Sequence, residues 1–73
     1  MGKKAQSYRI RTGNAFIEAV VGNEYTGTGY IGLSDGIEVT GRLKEYDQRF
    51  NSVILEDDRG QPHAVIPSTL REK

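Results

Sequence analysis

From Ile37 to Lys44, apolar or small residues alternate without a break with polar ones. Ile37, Val39, Gly41 and Leu43 form one set, and Glu38, Thr40, Arg42 and Lys44 the other. A period of two puts each set on its own side of an extended chain, so this segment reads as a half-buried β-strand. Similar short segments flank it. Residues 25–33 are rich in Thr, Tyr and Gly, and Ser34-Asp35-Gly36 supplies the Asp-Gly step favoured in tight hairpins. Residues 51–56 centre on Val53-Ile54-Leu55, and Asp57-Asp58-Arg59-Gly60 turns the chain. Residues 63–66 read as a last strand, whose continuation Pro67 limits. Roughly four or five short, closely spaced strands predict a mostly β fold, a small antiparallel barrel or strongly bent sheet.

The N-terminal third admits two readings. Asn14 reads as the N-cap of a short helix through Val21, with Phe16, Ile17, Val20 and Val21 on one side and Gly22-Asn23 ending it. A strand pair turning at Thr12-Gly13-Asn14 competes, because Ile17, Val20 and Val21 are β-branched. With the helix as the working expectation, residues 1–12 form a flexible basic arm and residues 13–73 a single domain.

A chain of 73 residues buries only about 60% of its unfolded surface on folding. It has no cysteine, which excludes a disulfide scaffold, a thiolate zinc site and a thiol nucleophile, and suits a reducing cytoplasm. Self-association is then the remaining common way to stabilise so small a core. No apolar run exceeds three residues, so no membrane-spanning helix is expected. The first lysines are followed by no apolar stretch, so no secretory signal is expected either.

Ten basic and ten acidic residues cancel, but unevenly along the chain. Lys3, Lys4, Arg9 and Arg11 precede any acid, whereas from Glu18 onward ten acids face six bases. A basic start on an acidic body can approach a phosphate backbone even when the whole chain is neutral; the plain alternative is a solvated tail.

Little in the sequence supports catalysis. Gly27-Thr28-Gly29-Tyr30-Ile31-Gly32 fits the G-x-G-x-x-G string of nucleotide-binding loops, but a hairpin follows where a helix would be needed. Glycines that let a strand bend are the better account. His63 is the only histidine and has no second nitrogen or sulfur ligand for a metal. Ser34, Ser52 and Ser68 have no activating base in evidence, and Glu56-Asp57-Asp58 reads as a solvated turn. No enzyme, metal or cofactor is expected.

The most specific segment is Gly36-x-x-Val39-x-Gly41-x-Leu43-x-x-Tyr46-Asp47-x-x-x-Asn51-x-x-x-Leu55, continuing through Val53-Ile54-Leu55-Glu56-Asp57. It resembles the first signature motif of the Sm-like family, which includes the Sm and LSm proteins and bacterial Hfq. Upstream, residues 14–20 are similar to the N-terminal helix of Hfq, and Asp35-Gly36-Ile37 to its first hairpin. Downstream, His63-Ala64 is similar to the Hfq His-Ala pair. The likeness covers roughly residues 14 to 70. The second motif departs from the family pattern: Pro62 precedes His63, and Pro67-Ser68 stands where Arg-Gly is usual.

The resemblance implies a five-stranded, strongly bent Sm-like sheet with an N-terminal helix, assembled as a homo-oligomeric ring that binds U-rich or A/U-rich single-stranded RNA. The candidate RNA-binding residues are Asp47, Gln48, Arg49, Asn51 and His63, with Lys3, Lys4, Arg9 and Arg11 as backbone contacts. The Asn51 amide offers donor and acceptor to a base edge, Asp47 would orient it, and the Arg49 guanidinium would stack on the base. Phe50 is expected to point into the barrel. An ordinary polar turn, and a packed or capping His63, are the plain alternatives. A core this small predicts a ring of roughly five to seven subunits, with residues 63–66 as the pairing edge. The competing function is a ring-forming or SH3-like protein-interaction module without RNA binding.

Overall fold

The computed structural model describes residues 6–30 and 35–73; Lys3, Lys4 and Gly32 lie outside them. Seven strands follow in chain order: β1 (Ser7–Thr12), β2 (Ala15–Val20), β3 (Glu24–Thr28), β4 (Glu38–Asp47), β5 (Ser52–Glu56), β6 (Pro62–Val65) and β7 (Arg71–Glu72). A 3-10 turn, Pro67–Thr69, precedes β7. β1 and β2 pair with each other, and the rest form a five-stranded antiparallel sheet in the order β6-β5-β4-β3-β7.

The alternation that opened the sequence is realised in β4, where Val39, Gly41 and Leu43 are buried and their polar neighbours exposed. A β-bulge between Leu43 and Glu45 interrupts its pairing with β5. Such a bulge increases local twist, and twist bends the sheet. Gly41 is fixed by close approach: a Cβ there would overlap the Glu56 carbonyl, reaching within 2.8 Å of its carbon.

The bend carries the chain after β3 across to β6. Gly29 and Val65 form an isolated antiparallel bridge; the Ile66 N–H donates to Thr28 O at 2.8 Å and the Tyr30 N–H to Ala64 O at 3.3 Å. A Cβ on Gly27 would stand 3.2 Å from Val65 Cγ2, so Gly27 is placed where the two segments pass closely. One bridge does not make a continuous ladder, and the sheet is not closed into a barrel.

Two N-terminal expectations are corrected. Residues 14–21 form no helix: the chain turns at Gly13, with a left-handed φ of 69°, and β2 returns along β1 with Ile10 opposite Ile17 and Tyr8 opposite Ala19. The helical stripe put Phe16 inside and left Ala19 off the apolar side. In the hairpin Ala19 is fully buried and Phe16 is 54% exposed. Nor are residues 7–12 a flexible arm; they are β1, and Ile10 is completely buried.

The hairpin joins one core with the sheet: Ile10, Ala19, Tyr25, Val39, Leu43, Val53, Leu55, Val65 and Leu70. Tyr25 links the two parts, because its buried ring carries a hydroxyl that accepts the Val20 N–H at 2.8 Å. Paired bonds between Gly22, Asn23 and Leu43 tie the β2–β3 connection to β4. The Thr69 hydroxyl accepts the Thr28 N–H at 2.8 Å and donates to Ile66 O at 2.6 Å, fastening the 3-10 turn to β3. No helix among the described residues is long and apolar enough to cross a membrane.

Substituting Gly41→Ala forces a methyl against the Glu56 backbone and is expected to destabilise the fold by about 1–3 kcal/mol. Urea unfolding should show a lower midpoint with an unchanged slope.

Candidate nucleic-acid interface

Between β4 and β5, residues 48–51 make a short loop shaped by its own polar side chains. Asp47 Oδ1 accepts the Arg49 N–H at 3.0 Å, and Gln48 O accepts the Asn51 N–H at 3.3 Å. Both bonds are side-chain and backbone turn closures of the kind Asp and Asn favour. Asn51 is the only described non-glycine residue with a positive φ, 50°. Its residue type tolerates that left-handed conformation.

Asn51 is held by Tyr46, not by Asp47 as the motif implied. The Tyr46 hydroxyl donates to Asn51 Oδ1 at 3.1 Å, which takes the amide by its oxygen and leaves its N–H donors uncommitted among the described residues. Asp47 is engaged with the Arg49 backbone and guanidinium instead.

Phe50 corrects a second expectation. It does not enter the sheet interior; it is 72% exposed. The core is closed by other residues, Val53 and Leu55 of β5 among them, and the left-handed step at Asn51 turns the loop into β5 with Phe50 outside. The Arg49 guanidinium stands 5.7 Å from the Phe50 ring centroid, a cation–π arrangement on the open surface.

Beside this loop lies a groove of about 280 Å³ lined by Tyr30, Phe50, Asn51, Ile66 and Pro67. Tyr30 and Ile66 reach it from the two segments joined at the Gly29–Val65 bridge. Three ring-bearing side chains and one primary amide therefore surround a single opening. Aromatic faces stack bases, and an amide offers donors to a base edge.

Of the residues singled out from sequence, Asn51 lines this opening and Arg49 reaches it only through its contact with the Phe50 ring, while Gln48 is exposed in the loop itself. His63 is not brought to it. His63 pairs with Leu55, whereas the loop joins β5 at Ser52; three residues of strand place it roughly 10 Å along β5. There its Nε2 meets Asp57 Oδ2 at 2.8 Å. Arg9 and Arg11 lie on β1, and Lys3 and Lys4 fall outside the described residues. Tyr30, Ile66 and Pro67 escaped sequence reading because only the crossing of β3 and β6 assembles them.

No family model matches this chain, and neither the curated proteins nor the solved structures yield a match. The Sm-like likeness consequently rests on the motif residues alone.

Asp57 organises the β5–β6 turn. Its Oδ1 accepts the Arg59 and Gln61 N–H groups, both at 2.9 Å, and Oδ2 meets His63. These bonds favour the carboxylate, the His63 bond first and the Gln61 N–H next, and hold its pKa below the ordinary 3.8. A group with a lowered folded pKa stabilises fully above its unfolded value and loses that contribution as pH falls through the folded one. The stabilisation is thus complete at neutral pH and fades below about pH 4. Asp57→Asn should lower the melting temperature at pH 7 and shrink the gap from the parent on acidification below that point; parallel melting curves down to pH 3 would count against this account.

Proposed function

We propose that this chain is an Sm-like RNA-binding protein that takes single-stranded, U-rich or A/U-rich RNA in the groove beside the 48–51 loop and works as a homo-oligomeric ring in the cytoplasm. The observation that carries this reading is the groove itself: Tyr30 and Phe50 rings, an adjacent Arg49 guanidinium, and an Asn51 amide fixed by Tyr46. A base stacked on Phe50 would present its edge to the Asn51 N–H donors, while Arg49 would attract the neighbouring phosphate. Asn51 then supplies base preference and Arg49 supplies charge.

Assembly follows from size and from open strand edges. The outward groups of Ala64 and Ile66 are already bonded to Tyr30 and Thr28, so residues 63–66 are a poor pairing edge. β7, which borders β3 and has no described strand beyond it, and the hairpin strands are the described edges left for a neighbouring copy.

Titration of an oligouridylate at low and moderate salt tests the reading. The parent should bind, and binding should weaken with salt. Asn51→Ala and Phe50→Ala are each expected to cost about 1–3 kcal/mol of binding while leaving the oligomer intact by light scattering. Asn51→Ala should also narrow the difference between U-rich and other strands. No binding at low salt would overturn the RNA reading and favour a protein-interaction module.

A further inference from the structure

Alternation gives the β1–β2 hairpin two faces. Ile10 and Ala19 are buried in the core, with Tyr8 and Ile17 packed against it. The opposite face carries Ser7, Arg9 and Arg11 from β1, with Phe16 and Glu18 from β2, all of them exposed. No described strand pairs with the hairpin from outside. Arg11 stands directly across from Phe16 in the register, and the Arg9 guanidinium lies over the Phe16 ring, 4.7 Å from its centroid. The one acid, Glu18, accepts the Ser7 hydroxyl at 2.9 Å. A shallow groove of about 530 Å³ runs between Ser7, Arg9, Phe16, Ile17 and Glu18.

Charge selects the occupant. Arg9 and Arg11 belong to the basic N-terminal stretch, whereas beyond Glu18 nine acids face six bases. Elsewhere on the sheet a cleft of about 210 Å³ gathers Glu24, Glu56, Asp57 and Asp58 around Arg42. A polyanion is drawn to the hairpin and kept from that cleft. A purely apolar partner would have to bury two guanidinium groups against a single carboxylate, Glu18 opposite Arg9 in the register, which is costly; a phosphate chain neutralises the remaining charge, and its bases have faces that stack on a ring.

We infer that the outer face of the β1–β2 hairpin is a second contact for single-stranded RNA, with a base stacked on Phe16 and flanking phosphates on Arg9 and Arg11. This rests on the RNA-binding reading of the groove and lengthens the path of the strand beyond it. The two surfaces belong to one neighbourhood. Tyr8, on the inner face of β1, meets Tyr46 edge-on at 6.1 Å, and Tyr46 holds Asn51. β1 also runs beside the 3-10 turn, whose Pro67 lines the groove.

The test compares oligouridylates of about three nucleotides, enough for the groove, and about twelve, enough for both surfaces. Phe16→Leu keeps the apolar volume and removes the ring. It should weaken the longer strand about 5- to 150-fold, leave the shorter unchanged, and be rescued by Phe16→Tyr. The Arg9→Gln, Arg11→Gln double variant should weaken the longer strand and flatten its salt dependence. Unchanged binding of the longer strand by Phe16→Leu overturns the hairpin contact; if Phe50→Ala still weakens both lengths, the groove reading stands without it. Weakening by Phe16→Leu with no effect of Phe50→Ala or Asn51→Ala keeps the hairpin contact and removes the groove. A parent that binds neither strand removes both. A change in oligomer mass in Phe16→Leu would assign the face to a second copy and overturn the proposal.

Discussion

The departure of the chain from β4 toward β6 after Thr28 is the constraint on which the site depends. Thr28, Gly29 and Tyr30 exchange backbone contacts with Ala64, Val65 and Ile66. Those contacts require Gly27 to pass Val65 at van der Waals range and the 3-10 turn to be fastened by Thr69. Remove the crossing and Tyr30 no longer stands near Phe50. The core residues Val65 and Leu70 would also lose their cover. Stability and site geometry thus share one set of contacts, so the groove is as rigid as the sheet that carries it.

Local period was enough to read β4, the central strand of the sheet, whereas β7 at its edge carries no such signal. Val39, Gly41 and Leu43 declare β4 without reference to any other residue, and the left-handed turns at Gly36 and Gly60 fall where Asp-Gly and Arg-Gly steps mark them. The hairpin is harder to read, because Phe16, Ile17, Val20 and Val21 fit a helical stripe while three of them are β-branched and favour a strand. Burial of Ala19 beneath the sheet decides between them, and burial is a tertiary fact. Phe50 differs for the same reason: whether a loop aromatic is covered depends on how the loop turns into β5, not on its residue type.

Within the loop, Asn51 and Arg49 were legible as chemistry but not as geometry. The motif spacing fixes Asn51 after the aromatic-Asp pair, yet it is the hydroxyl of Tyr46, and not the carboxylate of Asp47, that grips the amide. His63 shows the opposite failure. It is near Pro67 in sequence, but antiparallel pairing sends it to the far end of β5, where it serves the Asp57 turn. Closeness along a chain says little about closeness across a ladder once the strand reverses.

The left-handed backbone at Asn51 belongs to a loop that is closed by its own bonds, which bears on the rate at which the proposed RNA strand would be captured. Three bonds, from Tyr46, Asp47 and Gln48, already fix the loop before any ligand arrives. The entropy of ordering it is spent when the protein folds, not at the encounter. Under the proposed function, capture would need little rearrangement of this loop, and differences in affinity between sequences would show as differences in residence time.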